Sequence, residues 1–204
     1  MPIFINKSIN GLATVAVWHI TEDKKELYNM LTNGLTLDKY LPDNLHWLAS
    51  RALIANIFKN TNYKLFKNEA NKPFLKVDDK NINISITHSG KYAAILFSQT
   101  KQVGIDLEKT DERINRVARK FINVVEESYA KTIAHKTIIW SAKETLFKLY
   151  AKGNVDFRQN LIIYPFIINK NGSIKTEIEK DETNLFYTVN YQFFDDMVLT
   201  YCIN

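Results

Sequence analysis

The sequence predicts an α+β protein made of two similar halves. Three observations carry that expectation. Stretches with period 2 and stretches with a period near 3.6 both recur. Their order (strand, helices, hairpin, then strand, helices, meander) runs through twice. No linker or low-complexity segment divides the 204 residues, which contain only six Gly and four Pro. The halves are expected at residues 1–100 and 101–204. With 46% hydrophobic and 12% aromatic residues, the chain can bury a sizeable core, which excludes wholesale disorder.

Each element follows from its pattern. Thr14–Ile20 reads as a strand and Thr21–Glu26 as a charged helix start. Leu45–Lys59 places Leu45, Leu48, Ala49, Ala52, Ala55 and Phe58 near helical spacing. Asn81–Thr87 alternates strictly, Ser89–Gly90 turns, and Tyr92–Ser98 returns as a hairpin. Gln102–Glu108 is a further strand. Asp111–Glu127 predicts one helix, with Ile114, Val117, Phe121 and Val125 on a shared face. Thr137–Ala151 is the next helix, with Lys152–Gly153 as its stop. Leu161–Ile168, Ser173–Glu179, Leu185–Tyr191 and Met197–Ile203 predict a closing meander.

Charge and cysteine content bound the function. Twenty-seven Lys and Arg against 22 Asp and Glu give a net charge of +5. No stripe of basic residues interleaved with aromatics accompanies it, so a nucleic-acid partner is not expected. The single Cys excludes a disulfide framework and a cysteine metal cage, and fits a reducing, cytoplasmic setting. No apolar run reaches the ~20 residues of a membrane span, and no signal peptide is read at the N-terminus.

Asp106 and Glu108 sit two apart on a strand, so their side chains leave one face about 6–7 Å apart. Glu144 lies on a later helix, with Lys148 one turn on. Carboxylates with open positions left over suit Mg²⁺, which keeps waters and phosphate oxygens as further ligands. Taken alone, an Asp-x-Glu on a strand reads first as solvated edge charges, and Glu144 with Lys148 reads blandly as a surface ion pair. Lys143 reads as an ordinary surface cation.

V-G-I-D-L-E (103–108) followed by W-S-A-K-E-T-L-F-K (140–148) resembles the paired signature of the 4′-phosphopantetheinyl transferases. Upstream, N-K-P-F-L (71–75) and I-T-H-S-G (86–90) resemble that family's G-K-P and S-H-S-G elements, in the same order. The likeness runs from about Asn71 to Gly153; the first 70 residues match weakly, chiefly through Arg51. Chain length resembles the two-halved, monomeric, Sfp-like branch.

The resemblance implies transfer of 4′-phosphopantetheine from coenzyme A to a serine of an apo carrier protein, releasing 3′,5′-ADP. It implies a pseudo-two-fold arrangement with the active site where the halves meet. Asp106, Glu108 and Glu144 fall on the family's Mg²⁺ positions and Lys148 on its pyrophosphate lysine. Arg51, Lys72, Thr87 and His88 fall on coenzyme A contacts, with Arg51 and His88 near the 3′-phosphate. K-F-I-N-V-V-E (120–126) is similar to a family pattern that ends in an acid, which makes Glu126 the expected base, directly or through water. Glu127 is the neighbour that a one-residue shift would put there. Asn71 departs from the family by replacing the glycine before Lys-Pro. The basic residues Arg113, Arg116, Arg119 and Lys120 form a candidate face for an acidic carrier protein. Two other readings stay open: a non-catalytic protein that holds coenzyme A or a carrier, and a metal-dependent nucleotide hydrolase.

Overall fold

The computed structural model describes residues 3–32, 42–180 and 183–204. The fold class is α+β, with two sheets and several helices, as the sequence predicts. The chain divides into two compact units, Met1–Lys101 and Gln102–Asn204.

The N-terminal unit has a six-stranded antiparallel sheet: β1 (Ile3–Ile9), β2 (Ala13–His19), β3 (Tyr63–Lys67), β4 (Pro73–Val77), β5 (Lys80–Ser89) and β6 (Tyr92–Ser98). Their order across the sheet is β1-β2-β6-β5-β4-β3. Helices α1 (Lys24–Thr32) and α2 (Leu45–Ile57) complete the unit. Asp23 and Glu26 exchange reciprocal hydrogen bonds of 2.8 Å at the start of α1, and Asn44 caps α2 through the Trp47 amide. The core joins Trp18, Ile84 and Ile95 of the sheet to Leu27, Leu31, Leu53 and Ile54 of the helices. Asn71, in the β3–β4 turn, has φ +60°. That left-handed conformation costs a glycine nothing, and Asn tolerates it better than other residues do. The replacement at Asn71 therefore keeps the turn.

The C-terminal unit has a five-stranded antiparallel sheet of order β7-β11-β10-β9-β8. Its strands are β7 (Val103–Lys109), β8 (Leu161–Ile163), β9 (Asn171–Lys180), β10 (Thr183–Phe194) and β11 (Met197–Ile203). Its core gathers Phe121, Ile138, Ile139, Ala142 and Leu146 with Ile163, Ile178, Val189 and Val198. The expected single helix over 111–127 is broken into α3 (Ile114–Val117), a 3-10 turn (Ala118–Lys120) and α4 (Val124–Tyr129). The break has a local cause: Asn123 accepts from the Glu126 amide while the Glu126 side chain accepts from the Asn123 amide, a capping box that starts a new helix. The strand expected over 161–168 stops at Ile163, two residues before Pro165, which has no amide to donate to a ladder.

Helix α5 (Ile133–Tyr150) begins one turn before the expected start, capped by Thr132, and closes on Ala151 at φ +53° rather than on Gly153. It lies across β7 and β11. A Cβ at Gly104 of β7 would fall on the Thr145 carbonyl oxygen and within 3.1 Å of Leu149, so glycine at 104 is what lets the helix approach this closely.

Candidate functional site

Alternation along β7 turns Ile105 and Leu107 to one face and Gly104, Asp106 and Glu108 to the other, the face that α5 covers. On α5, Trp140, Ser141, Glu144, Thr145 and Lys148 recur at the spacing of one helical face. The two elements meet through side chains. Lys148 Nζ donates to Asp106 Oδ1 at 2.7 Å. Ser141 Oγ donates to Asp106 Oδ2 at 2.9 Å and contacts Thr200 Oγ1 at 2.8 Å, and Thr145 Oγ1 reaches the same hydroxyl at 2.7 Å. Trp140 Nε1 donates to Glu108 Oε1 at 2.7 Å, so this indole supports a carboxylate while packing on Phe121 and Phe157. Asp106 is thus held rigidly between an ammonium and a buried hydroxyl ladder.

The carboxylates sense one another. Burial, followed by the charge of Asp106, pushes the Glu108 carboxyl up to about 7, and Glu144 adds to the rise. Burial and then Asp106 raise Glu144 as well, with Lys148 opposing. Three carboxylates therefore share one ammonium. Among the described residues, no three His, Cys, Asp or Glu side chains form a ready-made metal cage; Lys148 serves as the cation against Asp106. The chemistry of the donor set nonetheless fits a hard divalent ion, since a local excess of oxygen-borne negative charge is what such an ion relieves.

Two readings from the sequence are corrected by this unit. Lys143 is no surface cation: its side chain is 0% exposed. Its Nζ donates to Glu126 Oε2 at 2.7 Å, to the Phe121 carbonyl at 2.6 Å and to the Phe157 carbonyl at 2.9 Å, which satisfies all three of its protons. Glu126, expected as the base, is its partner and is also 0% exposed. Its Oε2 additionally accepts from the Asn123 amide at 3.0 Å, and its Oε1 accepts from the Ile163 amide at 3.0 Å. A carboxylate with both oxygens engaged and no face to solvent is not positioned to take a proton from an incoming hydroxyl. Glu126 instead ties α4, α5 and β8 together. Glu127, its neighbour, is exposed.

The remaining candidates lie in the N-terminal unit. Thr87 is buried on β5, and His88 beside it is exposed. Arg51, on α2, stacks its guanidinium 4.7 Å over the Trp47 ring and donates to Ser50 Oγ at 2.9 Å. Lys72 is half-buried before β4, and burial drops its ammonium to about 8. The exposed residues Arg113, Arg116, Arg119 and Lys120 surround α3 and its 3-10 turn, and Val124 and Val125 at the start of α4 are exposed apolar neighbours in sequence.

Residues 102–202 match the sequence model of the 4′-phosphopantetheinyl transferase superfamily. The C-terminal unit thus carries a domain of that superfamily, a family of transferases. No curated protein matches the chain. Among the described residues, no helix is long and apolar enough to cross a membrane.

Proposed function

We propose that the chain is a 4′-phosphopantetheinyl transferase of the Sfp-like, two-halved kind, which moves 4′-phosphopantetheine from coenzyme A to a serine of an apo carrier protein. The observation that carries this reading is the coincidence of the family match with the β7–α5 arrangement, where Asp106, Glu108, Glu144 and Lys148 are gathered electrostatically. In the reaction the serine oxygen attacks the phosphorus attached to pantetheine. The new P–O bond forms as the bond to the other phosphate breaks, 3′,5′-ADP departs, and the serine proton passes to water. Asp106, Glu108 and Glu144 would hold Mg²⁺, which when bound supplies charge neutralisation for a pyrophosphate. Lys148 donates to the pyrophosphate oxygens, and Ser141 and Trp140 keep the carboxylates in place. Arg51, Lys72, Thr87 and His88 bind coenzyme A.

Release of 3′,5′-ADP tests this reading against its competitors. Nucleotide is expected only when coenzyme A, Mg²⁺ and an apo carrier are all present. Release without carrier would instead identify a hydrolase, and coenzyme A binding without release under any condition a non-catalytic holder.

Two further outcomes follow from named residues. Lys72 titrates near 8 and meets an anion only as the ammonium. Raising the pH from 7.5 to 9.5 removes that charge, so the calorimetric Kd for coenzyme A should rise over this window, and Lys72→Arg should flatten the profile. An unchanged profile in the variant would remove Lys72 from the donor site. Reversing Arg116 and Arg119 to Glu should raise the KM for an acidic carrier about tenfold while leaving that for coenzyme A in place. Equal carrier kinetics would show that this face does not dock the acceptor.

A further inference from the structure

Thr200 belongs to none of the motifs noted in the sequence. The register of β11 against β7 nevertheless sets it directly opposite Asp106, on the face that α5 covers. Thr200, Ser141 and Thr145 are each 0% exposed. Thr200 Oγ1 lies 2.8 Å from Ser141 Oγ and 2.7 Å from Thr145 Oγ1, and it donates to the Ser141 carbonyl at 2.9 Å. A Ser or Thr inside a helix can bond back to the carbonyl four residues before it. Thr137 of α5 does so, to the Ile133 carbonyl at 2.9 Å. Thr145 does not: the carbonyl it would use, that of Ser141, is taken by Thr200, and Thr145 turns to Thr200 instead.

The protons in this group run one way. A carboxylate only accepts, so Ser141 Oγ commits its one proton to Asp106 Oδ2, at 2.9 Å. Ser141 Oγ is then an acceptor towards Thr200, whose proton is shared between it and the Ser141 carbonyl, and Thr145 donates to Thr200. Aligned donors of this kind polarise one another, and full burial keeps solvent from replacing any of them. The result is a carboxylate with Oδ2 pinned to the interior and Oδ1 turned to Lys148. Without the Thr200 hydroxyl, Thr145 regains its bond to the Ser141 carbonyl and the fold survives. Ser141, however, loses the donor that orients it and is free to turn to the Thr137 carbonyl.

We infer that Thr200 is a positioning residue for the divalent-ion site: it keeps the Ser141 proton on Asp106 and so holds that carboxylate ready to ligate. The inference rests on the proposal above that Asp106 holds the ion. It is tested by titrating Mn²⁺ alone into the full chain and reading the free ion from its EPR signal, which needs neither carrier nor turnover. Thr200→Val keeps the shape and loses the hydroxyl, whereas Thr200→Ser keeps the hydroxyl. Ser141→Ala removes the donor itself, and Asp106→Asn removes the charge of the ligand. Thr200→Val should weaken Mn²⁺ about tenfold, as loss of a partner behind a metal ligand commonly does. Thr200→Ser should stay within about twofold of wild type. Ser141→Ala should match Thr200→Val, and the double variant should be no weaker than Ser141→Ala, because one residue acts through the other. Additive losses, or equal losses in Thr200→Val and Thr200→Ser, would show that Thr200 only fills space and would overturn the inference. Wild-type affinity in Thr200→Val beside a weakened Asp106→Asn would overturn it while leaving the metal assignment in place. Wild-type affinity in Asp106→Asn, or a wild type that binds no Mn²⁺, would remove the metal assignment and this inference together.

Discussion

Replacing Asp106 by Asn should cut phosphopantetheine transfer about 100- to 1,000-fold while leaving the thermal transition nearly in place. The amide keeps one oxygen for Lys148 Nζ, and its NH2 can donate to Ser141 Oγ once that hydroxyl turns to donate to Thr200 Oγ1, so the fold loses little. What it loses is charge, in a cluster where three carboxylates stand against one ammonium. Glu144→Gln should behave the same way. Coenzyme A binding measured without metal should change far less than turnover, because the proposed ligands are asked to act on the pyrophosphate as it reacts. Wild-type turnover in either variant would show that these carboxylates hold no catalytic ion.

Lys143→Met should have the largest effect on stability, about 3–5 kcal/mol. The substitution leaves Glu126 fully buried without its cation and frees the Phe121 and Phe157 carbonyls. Glu126→Leu alone should cost a similar amount, since it strands the Lys143 ammonium and unties the Ile163 amide. Combining the two removes both charges at once and should recover much of the loss, as apolar replacement of a buried pair commonly does. Urea unfolding of the two single variants and the double variant reads this directly. Single variants within 1 kcal/mol of wild type would mean that the pair does not hold α4 and α5 together.

Different residues explain why some of this was legible in the sequence and some was not. Strict alternation in Asn81–Thr87 and the long apolar face of Thr137–Ala151 report burial that each element experiences by itself, and both appear as β5 and α5. Strands β1 and β3 escaped because they are edge strands, with largely exposed residues and no apolar face long enough to set a period. The break between α3 and α4 was written in the sequence as Asn123-x-x-Glu126, a capping box, but the apolar spacing of Ile114, Val117 and Phe121 masked it. The carboxylates and Lys148 were found through motif resemblance rather than spacing, because β7 and α5 are brought together only by the fold. The same holds for Lys143 with Glu126, 17 residues apart. A charge that looks solvated in sequence reveals its burial only when its partner is known.

The central claim, phosphopantetheinyl transfer, is tested most directly by the intact mass of an apo carrier protein after incubation with the chain, coenzyme A and Mg²⁺. The account predicts a gain of one phosphopantetheine per carrier, on its active serine, lost when that serine is Ala and when Asp106 is Asn. A carrier of unchanged mass, across acyl and peptidyl carriers and with the chain folded, would contradict it.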